Sequence, residues 1–158
     1  MKIVVFSDSH GNVSNMIAAV KRQAPDMAIH LGDCWEDGDR LRMAFPQLPL
    51  EQVNGNCDFR PQGVWEKYIA LGSRTALICH GHTFGVKSGY GAAIEAAKKA
   101  GVDVLLFGHT HSAVVERMGP LWLMNPGSVG DPLWGSYGVI TVDERGIDCR
   151  VVPNEKEG

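Results

Sequence analysis

Short apolar runs separated by polar clusters form the pattern of the first third of the chain. Three of these runs are nearly uninterrupted and four to six residues long, which predicts buried strands. Between the first two, apolar residues recur at helical spacing until Pro25 ends the helix, and a second, short helix is expected before the third strand. The predicted elements are strands over residues 2–7, 27–31 and 50–53, with helices over residues 13–23 and 36–45.

The rest of the chain contains one more helical pattern among short strands. An alanine- and lysine-rich segment predicts a helix that stops at Gly101, and a Gly72-Ser73 turn predicts a hairpin before it. After the helix, turns at GP, NPGS and DERG separate short apolar segments. The predictions are a hairpin over residues 65–71 and 75–79, a helix over 90–100, and strands over 103–107, 113–118, 121–124, 136–142 and 147–152.

This order of elements predicts the fold class. The chain begins as a β-α-β unit and is expected to finish as antiparallel strands, which indicates two packed mixed β-sheets with helices outside, an α/β (α+β) architecture. With 158 residues, 44% hydrophobic and 21% charged, we predict one domain over residues 1–153. Residues 154–158, NEKEG, are predicted to form a flexible tail.

Charge, cysteines and the N-terminus restrict partners and compartment. The formal net charge of −3 provides no general attraction for polyanions, so bulk nucleic-acid binding is not indicated. The four cysteines form no CxxC pair and no dense framework, which favours reduced thiols. The apolar run after Lys2 is only four residues long, shorter than a signal peptide core or a membrane span. A cytoplasmic protein without membrane association is expected.

Side chains that can bind metal follow five of the predicted strands. Ligand sites in open α/β sheets lie beyond the carboxyl ends of the strands, so these side chains are expected to meet. Carboxylate, imidazole and amide donors without a required thiolate suit Mn, Fe, Ni, Co or Zn. The seven candidate ligands are Asp8, His10, Asp33, Asn56, His80, His109 and His111.

Seven donors are too many for one ion. If the carboxylate of Asp33 bridges, two ions can share the set, and a bridging hydroxide with water completes both shells. Paired ions about 3.5–4 Å apart acidify the bridging water, bind phosphoryl oxygens and neutralise charge in an in-line displacement. We therefore predict two divalent transition-metal ions, with manganese as first choice, and hydrolysis of phosphoesters.

The ordered motifs DSH, GDC, GNCD, HGH and GHTH resemble the signature of the calcineurin-like metallophosphoesterase superfamily. The short chain and the GNCD variant resemble its small prokaryotic branch, the YfcE-type phosphodiesterases. The resemblance extends from Asp8 to about Ser128 and implies the family's αββα sandwich. It also implies a phosphodiesterase that uses a metal-bridging hydroxide as nucleophile.

The resemblance assigns the donors to two ions. It implies that Asp8, His10, Asp33 and His111 hold the first ion. By the same resemblance, Asp33, Asn56, His80 and His109 hold the second, so the two histidines of GHTH reach different ions. Asp33 and Asn56 are also counted as catalytic residues.

One position departs from the family pattern. Many members have a histidine after the asparagine of GNCD, implicated in protonating the leaving group, whereas this chain has Cys57. A general acid contributes about 10²–10⁴-fold, and a thiol is a poor replacement. His82 and Asp58 are the candidate substitute acids. The missing histidine favours diesters over dianionic monoesters, which gain more from an extra proton donor.

Four residues are candidate substrate contacts. Arg60 follows GNCD by two residues and is expected to reach a phosphate oxygen, and the backbone amides of Gly127 and Ser128 lie in a loop that the family places near the metals. Asn12 is included, although its place before a helix favours an N-cap. Trp122, Leu133 and Trp134 are expected either in the core or on a homodimer surface.

Other functions remain open. The same family includes phosphomonoesterases and nucleotidases, and a metal-dependent nuclease is disfavoured by the acidic charge balance. A retromer subunit with this fold is a scaffold with an incomplete ligand set. Here all seven ligand positions carry competent donors, which disfavours a metal-binding scaffold with little activity.

Overall fold

A computed structural model describes residues 1–58 and 63–155. The first half contains β1 (Lys2–Phe6), α1 (Val13–Gln23), β2 (Met27–His30), α2 (Trp35–Ala44), β3 (Leu50–Gln52), β4 (Glu66–Leu71) and β5 (Arg74–Cys79). Two short 3-10 turns, His82–Phe84 and Val86–Ser88, precede α3 (Gly91–Ala100). The chain continues through β6 (Val104–Leu106), β7 (Val114–Met118), β8 (Leu121–Asn125), β9 (Ser136–Asp143) and β10 (Gly146–Pro153).

The ten strands form two five-stranded mixed sheets, in the orders β10-β9-β1-β2-β3 and β4-β5-β6-β8-β7. In the first sheet β1, β2 and β3 are parallel, and in the second β5, β6 and β8 are parallel. The predicted antiparallel ending is confirmed for the pairs β7–β8 and β9–β10, but β8 also pairs in parallel with β6 through Leu105 and Leu123. The carboxyl ends of parallel strands lie at one edge of a sheet, so the polar motifs that follow them can meet.

Both faces of the central strands are buried, which explains their uninterrupted apolar sequences. In β1, Ile3 and Val5 belong to the core between the two sheets, while Val4 and Phe6 belong to the core beneath α1 and α2. A third cluster packs α3 against the second sheet through residues such as Ala97. These layers are helix, sheet, sheet and helix, so the predicted αββα sandwich is confirmed.

Local capping explains where the helices begin and end. Oδ1 of Asn12 accepts a hydrogen bond from the backbone N–H of Asn15 at 3.2 Å, so the predicted N-cap of α1 is observed. Gly101 has a φ of +71° and donates its N–H to the carbonyls of Ala97 and Lys98, which ends α3 as predicted.

The first two residues of the predicted tail contact the rest of the fold. Asn154 donates Nδ2–H to the carbonyl of Val129 at 2.9 Å, and Glu155 forms an ion pair with Arg22. The remainder of the predicted tail, residues 156–158, lies outside the described residues.

Trp122 packs partly buried against the inter-sheet core, whereas Leu133 and Trp134 are exposed. Within the described ranges, no helix has the length and apolar character needed to span a bilayer.

Candidate metal centre

Hydrogen bonds connect the ends of the parallel strands, both within each sheet and between the two sheets. The N–H of Asp8 donates to the carbonyl of Gly32, and the N–H of Gly108 donates to the carbonyl of His80. Between the sheets, the N–H of His109 donates to Oδ2 of Asp8 at 3.1 Å. The motifs DSH, GDC, HGH and GHTH therefore form one cluster at this edge.

The carboxylate of Asp8 lies at the centre of the cluster and is fully buried. Its Oδ1 is 3.1 Å from Nε2 of His111, 3.8 Å from Nε2 of His10 and 3.9 Å from Nε2 of His80. Its Oδ2 accepts the hydroxyl hydrogen of Ser7 at 2.5 Å. One oxygen thus orients the residue while the other faces three imidazoles.

Two groups of donors have the spacing of a metal site, and both contain Asp8. One group is Asp8, His10 and His111, and the other is Asp8, Asp33 and His80, with donor atoms within 4.8 Å of one another in each. The first group is open, because the side chains of His10 and His111 are 44% and 47% exposed. The second is buried. Among the described residues, Asp8 is the carboxylate shared by both groups, whereas the resemblance assigned that place to Asp33.

The hydrogen bond of His80 fixes which of its nitrogens can bind metal. Its Nδ1 lies 2.8 Å from the carbonyl oxygen of Leu31, which can only accept, so Nδ1 carries the hydrogen. Nε2 therefore presents its lone pair, 3.5 Å from Oδ2 of Asp33. A backbone carbonyl behind a ligating histidine is a common way to orient the ring and raise its basicity.

Asp58 holds the loops around Asp33. Its carboxylate accepts backbone hydrogen bonds from Asp33 at 2.9 Å, Gly55 at 2.8 Å and Trp35 at 2.8 Å. Oδ1 of Asp33 in turn accepts the N–H of Cys57 at 3.1 Å. Asp58 therefore has a structural role that competes with its predicted role as proton donor, because both of its carboxylate oxygens already accept backbone hydrogens.

His109 and His82 complete a group of close imidazoles. Nδ1 of His109 is 3.2 Å from Nε2 of His80, and the ring of His82 lies 5.5 Å from that of His80 between centroids. Burial, reinforced by the neighbouring His80, lowers the pKa of both His109 and His82. A lowered pKa keeps the ring of His109 neutral near pH 7, which is the form that binds metal.

The backbone at the predicted ligands is unusual. Seven non-glycine residues in the described ranges have positive φ, and five of them are candidate ligands. Left-handed backbone is unfavourable for residues with a β-carbon and accumulates at functional sites. The sequence shows this only indirectly, through short polar residues and glycines after each strand. The five ligands are Asp8, His10, Asp33, His109 and His111.

Asn56 lies on the loop that follows β3. Asn56 is exposed, and its Nδ2 donates to Sγ of Cys57 at 3.6 Å, so its role as ligand stays a prediction. Arg60 lies outside the described residues. The nearby charge of Asp33 raises the pKa of the Cys57 thiol, so this side chain stays protonated at neutral pH.

Gly127 and Ser128 support the Asp8 loop from behind. The Ser128 hydroxyl donates to the carbonyl of Asp8 at 2.8 Å, and the N–H of Gly127 donates to Oδ1 of Asn125 at 2.9 Å. The predicted substrate contact through the Gly127 amide is therefore not available in this conformation. Contact between the Ser128 amide and substrate stays a prediction.

Two supporting residues lie within the DSH and NPGS motifs but had no predicted role. Asn125 donates Nδ2–H to Oγ1 of Thr110 at 2.9 Å and to the carbonyl of Gly108 at 3.1 Å, which holds the GHTH loop. Ser9 donates its hydroxyl hydrogen to Oδ2 of Asp37 at 2.7 Å and lies 2.9 Å from Nε2 of His30. His30 is fully buried.

The chemistry of the cluster fits divalent metal ions. Asp8 and Asp33 are buried carboxylates, and no ion pair joins either to a lysine or arginine within the described residues. Buried carboxylates are costly unless they are paired or bind metal. The carboxylates of Asp8 and Asp33, beside imidazole nitrogens with free lone pairs, therefore form a donor set whose negative charge a divalent cation would neutralise.

Sequence comparison finds relatives along nearly the whole chain. The model of the calcineurin-like phosphoesterase superfamily domain matches residues 1–145. A probable metallophosphoesterase of Bacillus subtilis, YsnB, is 34% identical over 156 residues, covering 95% of this chain and 89% of that protein. The phosphodiesterase YfcE of Escherichia coli K12 is 28% identical over 171 residues, covering 90% of this chain and 89% of that protein.

Solved structures show the same architecture. A protein from Streptococcus pneumoniae TIGR4, described as a predicted phosphoesterase, superposes with a TM-score of 0.78 and 25% identity, covering 96% of this chain and 88% of that one. Vps29 of Entamoeba histolytica in complex with Zn²⁺ superposes with a TM-score of 0.75 and 21% identity, covering 97% and 99% of the two chains. The second likeness shows the fold alone.

Proposed function

This chain belongs to the calcineurin-like phosphoesterase superfamily and is a metal-dependent phosphoric ester hydrolase, and we propose that it hydrolyses phosphodiesters at a centre of two divalent ions. The observation that supports this proposal best is the pair of donor groups that share the buried carboxylate of Asp8. A shared carboxylate is what a two-ion centre requires, because it holds two cations close together.

The proposed metal centre has a buried side and a side that is open to solvent. Two ions at such a centre supply an acidified water and positive charge for the phosphoryl oxygens. Asp8, Asp33 and His80 form the buried side, where their fixed hydrogen bonds keep the donors in place. His10 and His111 form the open side, where substrate can approach from solvent.

A diester is the proposed substrate class for two reasons. The raised pKa of Cys57 leaves a neutral thiol where many relatives have a histidine, so this position offers little help with a poor leaving group. A monoester dianion also needs more positive charge than a diester monoanion. The E. coli relative is named a phosphodiesterase, which supports the same class. The alternatives are a phosphomonoesterase or nucleotidase, or a metal-binding scaffold with little activity.

We propose manganese as the metal, with nickel, iron, cobalt or zinc as alternatives, because oxygen and imidazole donors suit all five. The proposed partner is a small phosphodiester, without bulk nucleic-acid or membrane binding. A cytoplasmic location also stays a prediction, which the free cysteines support.

The decisive experiment is a metal-reconstitution assay. Protein stripped with a chelator should regain hydrolysis of bis(4-nitrophenyl) phosphate when Mn²⁺ is returned, and should act less well on 4-nitrophenyl phosphate. Ni²⁺, Co²⁺, Zn²⁺ and Mg²⁺ are compared in parallel, with Asp33→Ala as the control that removes a buried donor. If no metal restores hydrolysis of either ester while the protein stays folded, a binding or scaffold role replaces the catalytic one.

We further propose that His82, in its protonated form, donates the proton to the leaving group; burial lowers its pKa, so this form is the minor one at neutral pH. Its Nδ1 is buried without a hydrogen-bond partner in the described part of the chain, and its ring lies 6.1 Å from that of His109. His82→Ala should lower kcat for an alkyl diester by about 10²-fold or more, but hardly change kcat for a nitrophenyl diester, whose leaving group needs no proton. Equal losses on both substrates would reject this role.

A further inference from the structure

A cavity of about 750 Å³ is lined in part by the loops that carry the open-side histidines. Its lining includes Asn12 and Ala113, which lie two residues after His10 and His111. Those two imidazole rings are themselves in contact, with centroids 5.3 Å apart. Asp131, which also lines this cavity, interacts electrostatically with His111, so the cavity lies next to the open side.

The cavity has an exposed aromatic wall. Leu133 and Trp134 are 71% and 82% exposed, although both are large apolar residues. Their turn is held by Asp131, whose Oδ1 accepts the N–H of Leu133 at 2.8 Å and the N–H of Trp134 at 3.0 Å. Because the turn is already ordered, binding a ring against the indole requires little further ordering of the backbone.

Charge limits what the cavity can accept. Its described lining includes two acidic residues, Asp131 and Glu155, and no lysine or arginine. Glu155 is paired with Arg22, so the carboxylate of Asp131 is the charge that would repel a second phosphate or a polynucleotide backbone. An uncharged planar group meets no such penalty and can bury its face against Trp134.

We propose that this cavity binds an uncharged aromatic substituent of the substrate, an aryl or nucleoside group, with its ring stacked on Trp134. The proposal rests on the proposed function, because the metal centre has to hold the phosphoryl group. It narrows the substrate class to phosphodiesters with at least one aromatic substituent. It also gives the exposed tryptophan a role other than the homodimer surface expected from the sequence.

Binding of two small phosphates to the Mn²⁺-loaded protein tests this proposal by calorimetry. Phenyl phosphate should bind about tenfold more tightly than methyl phosphate, since one aromatic stack is typically of this size. Trp134→Ala should remove the preference, and Trp134→Phe should retain most of it. Met43→Ala, which removes an equally exposed apolar side chain from α2, should behave as the wild type.

Equal affinity for the two phosphates in the wild type, or a preference that survives in Trp134→Ala, would overturn the proposal. A dimer that dissociates on Trp134→Ala, measured by sedimentation, together with an unchanged preference would assign the tryptophan to self-association instead. Hydrolysis of bis(4-nitrophenyl) phosphate is measured on the same samples. A protein that prefers phenyl phosphate but hydrolyses no ester would refute the proposed function and support the aromatic site.

Discussion

Asp8→Asn is expected to lower kcat for metal-dependent phosphodiester hydrolysis by about 10³-fold or more, because paired ions contribute several kcal/mol of transition-state stabilisation. Asp8 belongs to both donor groups, so its loss weakens both proposed ions. Asparagine keeps the side-chain size and tolerates the left-handed backbone at this position, where φ is +54°. The folded structure should therefore survive while the negative charge is lost.

Metal content separates the roles of the two buried carboxylates. Plasma mass spectrometry should find less metal bound to Asp8→Asn than to Asp33→Asn, because Asp33 belongs to only one donor group. Asp26→Asn is the control, since Asp26 accepts the N–H of Lys2 at 2.8 Å at the opposite end of the sheet. The reverse order of metal loss would make Asp33 the bridging ligand, as the family resemblance implies.

Gly108→Ala should damage both stability and metal binding, although Gly108 is not itself a ligand. A β-carbon here would lie 2.8 Å from Cβ of Ser7 and 2.9 Å from Oδ2 of Asp8. Neither neighbour can retreat easily, because both are fully buried and hydrogen-bonded to each other. Overpacking of this kind costs about 1–3 kcal/mol, which lowers Tm by about 3–10 °C in a domain of this size.

The accompanying loss of metal affinity distinguishes this effect from ordinary destabilisation. Displacement of Asp8 should weaken Mn²⁺ binding by about tenfold or more, because second-layer changes commonly have this size. Gly91→Ala is the matched control, since no atom lies within 4 Å of a β-carbon there and the residue begins α3. This control should keep its metal affinity and be slightly stabilised. Similar behaviour of the two variants would exclude the steric explanation.

Much of the fold could be predicted from local pattern. The helix α1 has the predicted bounds, and the strands agree to within one or two residues, because apolar spacing and turn residues act over short distances. The pairing of β8 could not be predicted in this way. The GP turn indicates a hairpin with β7, but no local signal shows that β8 also lies parallel to β6.

The candidate site could likewise be predicted only in part. The motifs predicted the donor residues and their approach at strand ends, and the structure brings six of the seven to one edge, namely Asp8, His10, Asp33, His80, His109 and His111. Asp58 could not be understood from GNCD alone. Its three backbone hydrogen bonds depend on loops from two different strands meeting around its carboxylate.

By itself, the sequence determined the kinds of element, their order and the donor atoms available at each strand end, because side-chain chemistry and apolar period are local properties. Only the tertiary structure decided that Asp8 belongs to both donor groups, that His80 presents Nε2, and that Trp134 lines one cavity with Asn12 and Ala113. These features depend on contacts between distant residues. Asp8 and His111, for example, are separated by 103 positions in the chain and by 3.1 Å between donor atoms. Such distances are set by how the two sheets pack, which no short segment specifies.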